Sequence, residues 1–210
     1  MSFDLNLHLT ATGRSMRLTT RDGGSAYAVV ISRSHAAAVG TLWDAVTNGE
    51  RIGLWFLPVS GELEVGGRYK LERNAGGVIT ACEAPSRFSL TWEFGDDLSW
   101  VDVEVAADGA GRARMTLTHS SRPSDHWDRF GPGATGVGWE MGLVGLAIHL
   151  SDPQATLPED ATFTDTEEGK AFVRGCSAAW GEAAIAAGAD PGAARAAARR
   201  TAAFYTGEPL

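Results

Sequence analysis

The period of the hydrophobic pattern changes twice along the 210-residue chain, and each change marks a different kind of element. Between residues 14 and 34 the apolar positions alternate. Met16 and Leu18 lie outbound, Asp22-Gly23-Gly24 supplies a turn, and Val29 and Ile31 return, which predicts a hairpin. From His35 to about Asn48 the spacing becomes three and four. Val39, Leu42, Trp43 and Val46 fall on one helix face, and Asn48-Gly49 ends it. A short second helix, Glu50 to Phe56, stops before Pro58. From Val59 to His119 the period is two. Val59, Gly61, Leu63 and Val65 share a face, Gly66-Gly67 turns the chain, Tyr69 and Leu71 follow, and Asn74 to Gly77 turns it again. Phe88, Leu90, Trp92 and Phe94 then alternate, as do Val101, Val103 and Val105, and Ala113, Met115, Leu117 and His119. Strands joined by such short turns form an antiparallel meander, apolar inside and polar outside. Asp102 and Glu104 on the outer face are expected to pair with Arg112 and Arg114 across the strands.

After a loop at Pro123 and a short helical piece around His126, a long helix is expected from about Ala134 to Leu150. Trp139, Leu143, Leu146 and Leu150 make one stripe, Gly138, Gly142, Gly145 and His149 a second, and Val137, Val144 and Ile148 a third. A helix apolar nearly all round is a buried helix. Asp152-Pro153 and Leu157-Pro158 mark a linker. Thr164 with Glu167 reads as a capping box, Gly188 as a C-cap, and Asp190-Pro191 as the start of a last helix. The tail is therefore expected to fold as a helical hairpin docked on the body, since short isolated helices are marginal in water. The division is 1–24 as an N-terminal strand arm, 25–150 as the main domain and 151–210 as a helical extension packed on the same body. The fold class is α+β, a curved antiparallel sheet around a long helix.

A chain of this length buries roughly 70% of its unfolded surface and needs no staple. Cys82 and Cys176 show no metal or redox spacing and fit a reduced, cytoplasmic protein. Met1 to Thr12 shows no signal peptide, and no run is apolar enough to span a membrane. A net charge of −8 and a pI near 5.1 argue against nucleic-acid binding. The one basic cluster, Arg195 with Arg199 and Arg200, reads as a solvated helix face.

Three segments carry a resemblance. Leu42-Trp43-Asp44-Ala45-Val46-Thr47, then Trp55-Phe56-Leu57-Pro58-Val59-Ser60-Gly61, then Val65-Gly66-Gly67-Arg68-Tyr69 resemble the START-like (SRPBCC, helix-grip) superfamily. Ala84-Pro85-Ser86-Arg87 followed by Leu90-Thr91-Trp92-Glu93 is similar to the branch named for the activator of heat-shock protein 90 ATPase homologues. Leu117-Thr118-His119 and the later segment ending Gly138-Trp139 fit as well. The likeness spans about 25–150 and implies the helix-grip fold. The tail resembles an extension of some bacterial members. The fold hosts many functions, so it assigns no activity.

In a helix-grip fold the cavity between sheet and long helix is lined by aromatic rings such as Trp55, Phe56, Trp92, Trp127 and Trp139 and holds few polar groups, as an apolar ligand site requires. The expected lining is Trp55, Phe56, Tyr69, Leu90, Trp92, Met115, Leu117, His119, Trp139, Gly142 and His149. Trp100 has the opposite parity to the valines of its strand. His119 points inward and has three readings: a core histidine bonded to backbone, a polar anchor, or a general base. His149 either faces the cavity or caps the last carbonyls of its helix. The glycine stripe either admits another helix or leaves room for a ligand. His119, His126 and His149 lack zinc spacing, and Gly131-x-Gly133-x-x-Gly136 stands outside any strand-helix unit, so no metal and no cofactor are expected. The resemblance supports three functions: binding of a small apolar or amphipathic molecule; cyclase-like or hydrolase-like chemistry on a polyketide-like compound with His119 as acid-base; and a co-chaperone-type interaction module. A homodimer through the C-terminal helices is a further possibility.

Overall fold

The computed structural model describes residues 4–155 and 163–210, so Leu157-Pro158 of the expected linker and the first three residues lie outside it. The chain opens with helix α1 (Leu5–Thr10), capped by Asp4, whose carboxylate accepts from the Leu7 amide. The expected hairpin follows as β1 (Thr12–Arg21) and β2 (Gly24–His35). Its two turn residues, Asp22 at φ 48° and Gly23 at φ 75°, both take the left-handed conformation that a tight hairpin turn requires. Strand β2 runs through His35, so helix α2 (Val39–Thr47) begins later than the periodicity implies. Asn48 then serves two helices. Its amide closes α2 on Asp44, while its side chain accepts from Glu50 and Arg51 to open α3 (Gly49–Trp55).

Six further strands follow: β3 (Val59–Gly61), β4 (Arg68–Leu71), β5 (Gly76–Glu83), β6 (Arg87–Phe94), β7 (Asp97–Ala107) and β8 (Ala113–Ser121). The strand order is β1-β2-β8-β7-β6-β5-β4-β3, an antiparallel sheet of helix-grip type. Two expectations about it need correction. The strand read from Val59 to Val65 ends at Gly61, whose φ of 103° breaks it; Leu63 and Val65 lie in a loop at 41% and 58% exposure. The acidic and basic residues of β7 and β8 are out of register. Asp102 stands opposite Thr118 and Glu104 opposite Thr116, so Asp102 accepts from Ser89 while Arg114 pairs with Asp108 instead.

Among the described residues the later helices are α4 (Asp125–Phe130), α5 (Gly133–Ser151), α6 (Glu167–Ala186) and α7 (Pro191–Thr206). Thr166, not Thr164, caps α6, accepting from the Gly169 amide at 2.9 Å. Gly188, at φ 96°, ends it, and Asp190 caps α7 with Pro191 at the first position, as expected.

The chain divides into two compact units. The first comprises Met1–Ile31, Arg122–Met141 and Pro158–Leu210; the second comprises Ser32–Ser121 and Gly142–Leu157. In the first, α6 and α7 pack on each other, and α6 packs on β1 and α1. Phe172, Val173, Cys176 and Trp180 of α6 are all buried within this unit. The first turns of α5 are glycine-rich for this reason. A Cβ on Gly136 would lie 2.1 Å from the Trp180 indole, and one on Gly138, the first residue of the expected stripe, 3.1 Å from the Tyr205 hydroxyl, so this end of α5 admits the tail helices. In the second unit α2 packs on β7 and β8, and α3 on α2 and β3.

Candidate functional site

In the second unit, strands β6, β7 and β8 set the inward residues in rows. Phe88 stands opposite Val103, which stands opposite Leu117; Leu90 stands opposite Val101, which stands opposite His119. Along β7 and β8 this face is closed. Val101, Val103, Val105, Met115 and Leu117 are 2–4% exposed. Along β6 it is not closed, for Phe88, Leu90 and Trp92 are only half-buried and Phe94, at the strand end, is 58% exposed. Trp43 of α2 meets the Phe88 ring edge-on at 5.9 Å. The expectation that Leu90 and Trp92 lie in the core is therefore met only halfway, whereas Met115 and Leu117 are buried as expected.

His119 is 8% exposed and sits beside this half-open row, with the Trp92 ring 5.8 Å away, edge-on. Its Nε2 is 2.8 Å from Ser99 Oγ. Ser99 Oγ in turn donates to the Trp92 carbonyl at 3.1 Å. Ser99 thus bridges the His119 ring and the Trp92 carbonyl. Burial lowers the pKa of His119 to about 4. At neutral pH the ring is uncharged, a dipole next to aromatic surface.

The other expected lining residues have defined places. Trp55 is 7% exposed and spends its indole N–H on the Ala45 carbonyl at 2.8 Å, which pins α3 to α2. Phe56 stacks on Trp55 and fills the space that Gly142 leaves, so Gly142 serves packing. Tyr69 is buried in β4 and donates to the Thr91 carbonyl at 2.8 Å; burial, with Glu93 nearby, raises its phenol well above the usual range. His149 neither caps carbonyls nor stands alone. Its Nε2 accepts from the Arg51 guanidinium at 3.1 and 3.3 Å, and Arg51 also holds Asp44 at 2.8 Å. Burial and the Arg51 charge lower the pKa of His149. Trp139 is half-buried and belongs to the first unit. Trp100 is buried at 9%, on the face opposite Val101. The sequence reading missed Ser99 and Arg51, although Ser99 shares the parity of Val101, Val103 and Val105.

The first unit holds a buried polar cluster that the sequence reading also missed. Glu140, 1% exposed, accepts from Arg14 Nε at 2.7 Å and from its terminal nitrogen at 2.5 Å. It also accepts from Trp180 Nε1 at 2.7 Å and Cys176 Sγ at 3.0 Å. Burial works against the Arg14 charge, yet Glu140 keeps its pKa raised. Burial, reinforced by Glu140, pushes the Cys176 thiol far up, so it is inert. With four donors on one carboxylate, the cluster ties α5, α6 and β1 together as a structural lock. The signal for it was a lone glutamate in an otherwise apolar helix.

Among the described residues no group of three His, Cys, Asp or Glu could hold a metal ion. Among them, too, no helix is long and apolar enough to cross a membrane.

Comparison with known proteins agrees with this geometry. Residues 36–151 match the family described as Activator of Hsp90 ATPase homolog 1-like protein. No curated protein matches the chain. The crystal structure of CalU16 from Micromonospora echinospora is 29% identical, with a TM-score of 0.62, over 79% of this chain and 98% of that one. Its solution NMR structure is 26% identical, with a TM-score of 0.71, over 84% and 97%. A conserved protein of unknown function from Enterococcus faecalis shares the fold at 17% identity, with a TM-score of 0.62, over 88% and 98%.

Proposed function

The chain is a member of the Activator of Hsp90 ATPase homolog 1-like family, and from that premise we propose that its second unit binds a small apolar or amphipathic molecule. The contact surface is the inward face of β6, with the buried His119–Ser99 pair as the polar anchor. One observation carries this reading. Phe88, Leu90 and Trp92 remain half-buried on the same face where the residues of β7 and β8 are closed off. A ligand lying along β6 would complete that burial at about 25 cal/mol per Å² of apolar surface. The anchor is uncharged, so the fitting molecule has an apolar body and one neutral polar group. Both cysteines are unpaired thiols, in keeping with a cytoplasmic setting for this binding.

The acid-base alternative asks His119 to take a proton near neutral pH. A ring with its pKa lowered to about 4 is a weak base there, which favours the anchor over a cyclase-like or hydrolase-like step. A co-chaperone-type role would use exposed apolar groups instead, and Leu54, Leu63 and Val65 are 56%, 41% and 58% exposed.

The test is a titration with an uncharged solvatochromic dye, followed through both dye and tryptophan emission. Leu90→Asp is expected to weaken dye binding at least tenfold, about 1.4 kcal/mol, because it sets a charge in the middle of the row. Equal affinity for the native protein and Leu90→Asp would reject the site.

A further inference from the structure

The tail carries a second surface with a different chemistry. Helices α6 and α7 leave a groove of about 480 Å³ between them in the first unit. Its floor is alanine: Ala178 from α6 and Ala198, Ala202 and Ala203 from α7. Its walls carry Arg174, Arg195 and Arg199, with Glu182 beside Arg195. The cluster that reads in sequence as a solvated face is thus divided. Arg200 turns away to the Arg129 carbonyl, while Arg195 and Arg199, one turn apart, face the groove.

The groove already holds an occupant. After α7 the chain turns at Gly207, φ 68°, and lays Glu208, Pro209 and Leu210 along it. Both Glu208 oxygens accept from Arg174, at 2.8 and 3.0 Å, and Thr206 Oγ1 holds one of them at 3.1 Å. Leu210 stays 83% exposed, so the apolar part of the segment is not sunk into the alanine floor. Arg195 is engaged by Glu182 at 3.2 Å, and Arg199 has no ion pair among the described residues. The chain's own segment satisfies one of three arginines and leaves Ala178 exposed and Ala202 and Ala203 only half-buried on the floor.

We propose that this groove is a docking site for an extended peptide segment of another protein, one with an acidic side chain followed by a small apolar residue, and that Glu208 is its built-in competitor. Charge complementarity selects the acidic residue, for Arg199 and a freed Arg174 offer forked donors to a carboxylate. The alanine floor admits a side chain without steric cost. Because Glu208 must leave before a carboxylate can take Arg174, occupancy by the chain's own segment sets the apparent affinity.

The groove lies wholly in the first unit, so its test is separate from that of the ligand site. The probe is a synthetic peptide, Thr-Gly-Glu-Pro-Leu with both ends blocked, titrated calorimetrically into the full chain at low and high salt. Glu208→Gln is expected to tighten binding about tenfold, as for a competitor that fills the site nine-tenths of the time. Adding Arg199→Ala to that variant should lose at least about fivefold, and salt should weaken binding throughout. Both positions are at the surface, so the variants should fold. Equal affinity for the native chain and Glu208→Gln would overturn the proposal, as would indifference to Arg199→Ala. If Glu208→Gln instead forms a concentration-dependent dimer on sedimentation, the groove belongs to a second copy of this chain, and the peptide proposal fails.

Discussion

The two units bury polar groups in opposite ways. In the first, a carboxylate, a guanidinium, an indole and a thiol close on one another, and Glu140 accepts four hydrogen bonds. In the second, histidines are held uncharged, one on a serine and one on an arginine, and His119 lies beside a strand whose inner face stays half open. A closed ionic cluster fixes geometry, since no donor or acceptor is left over for a ligand. A half-open apolar face leaves surface to bind. The difference separates a scaffold from a site, and it can be broken experimentally.

The largest effect should come from the scaffold. Glu140→Ala leaves Arg14 buried without its partner, which costs about 3–5 kcal/mol when one half of a buried pair is removed. Chemical denaturation followed by tryptophan emission measures it. A loss below about 1 kcal/mol, the range of an exposed pair, would mean that the cluster is solvated.

Acid should act on the other unit. Burial lowers His119 to about 4; burial together with the charges of Arg33 and Arg112 lowers His35 to about 4 as well. Their folded pKa values lie below the unfolded value, so the unfolded chain binds more protons between the two. Stability is fully present above about pH 6.5 and falls as pH drops toward 4, by up to roughly 3 kcal/mol per histidine. Amide exchange at several pH values should show β7 and β8 losing protection over that window. Protection that holds flat from pH 7 to 4 would contradict the buried neutral rings.

Smaller still is the cost expected for Trp92→Ala. A filled core site would lose ~3–5 kcal/mol, but a half-buried ring on an open row should lose only about 1–2 kcal/mol, while dye binding falls. A loss in the core range would close the row and sink the ligand reading. Least costly is a chemical probe. Cys82 is exposed and Cys176 is buried on Glu140. A thiol reagent should modify one cysteine at once and the second only on unfolding.

Much of this contrast could be read from the sequence, but unevenly. The period of two placed Met115, Leu117 and His119 on one inner face, and the long apolar helix announced itself in Val137, Leu143 and Leu146. Strand β5 was missed because only Gly76 and Gly77 at its start are buried, and Thr80 to Glu83 face solvent, so no alternation marks it. Leu63 and Val65 kept the alternation without the strand, since backbone conformation at Gly61 overrides pattern. Partners were the least legible. Ser99 and Arg51 reach His119 and His149 across 20 and 98 residues, and Arg14 reaches Glu140 across 126. No local spacing encodes such pairs.

The most direct test of the ligand site is chemical-shift mapping of the isotope-labelled full chain during titration with the uncharged dye. Shifts are expected to concentrate on Phe88, Leu90, Trp92, Ser99 and His119, with Cys176 and the Trp180 indole N–H unmoved. Shifts centred on Trp180 and Cys176, or scattered over the surface with β6 silent, would contradict the ligand site.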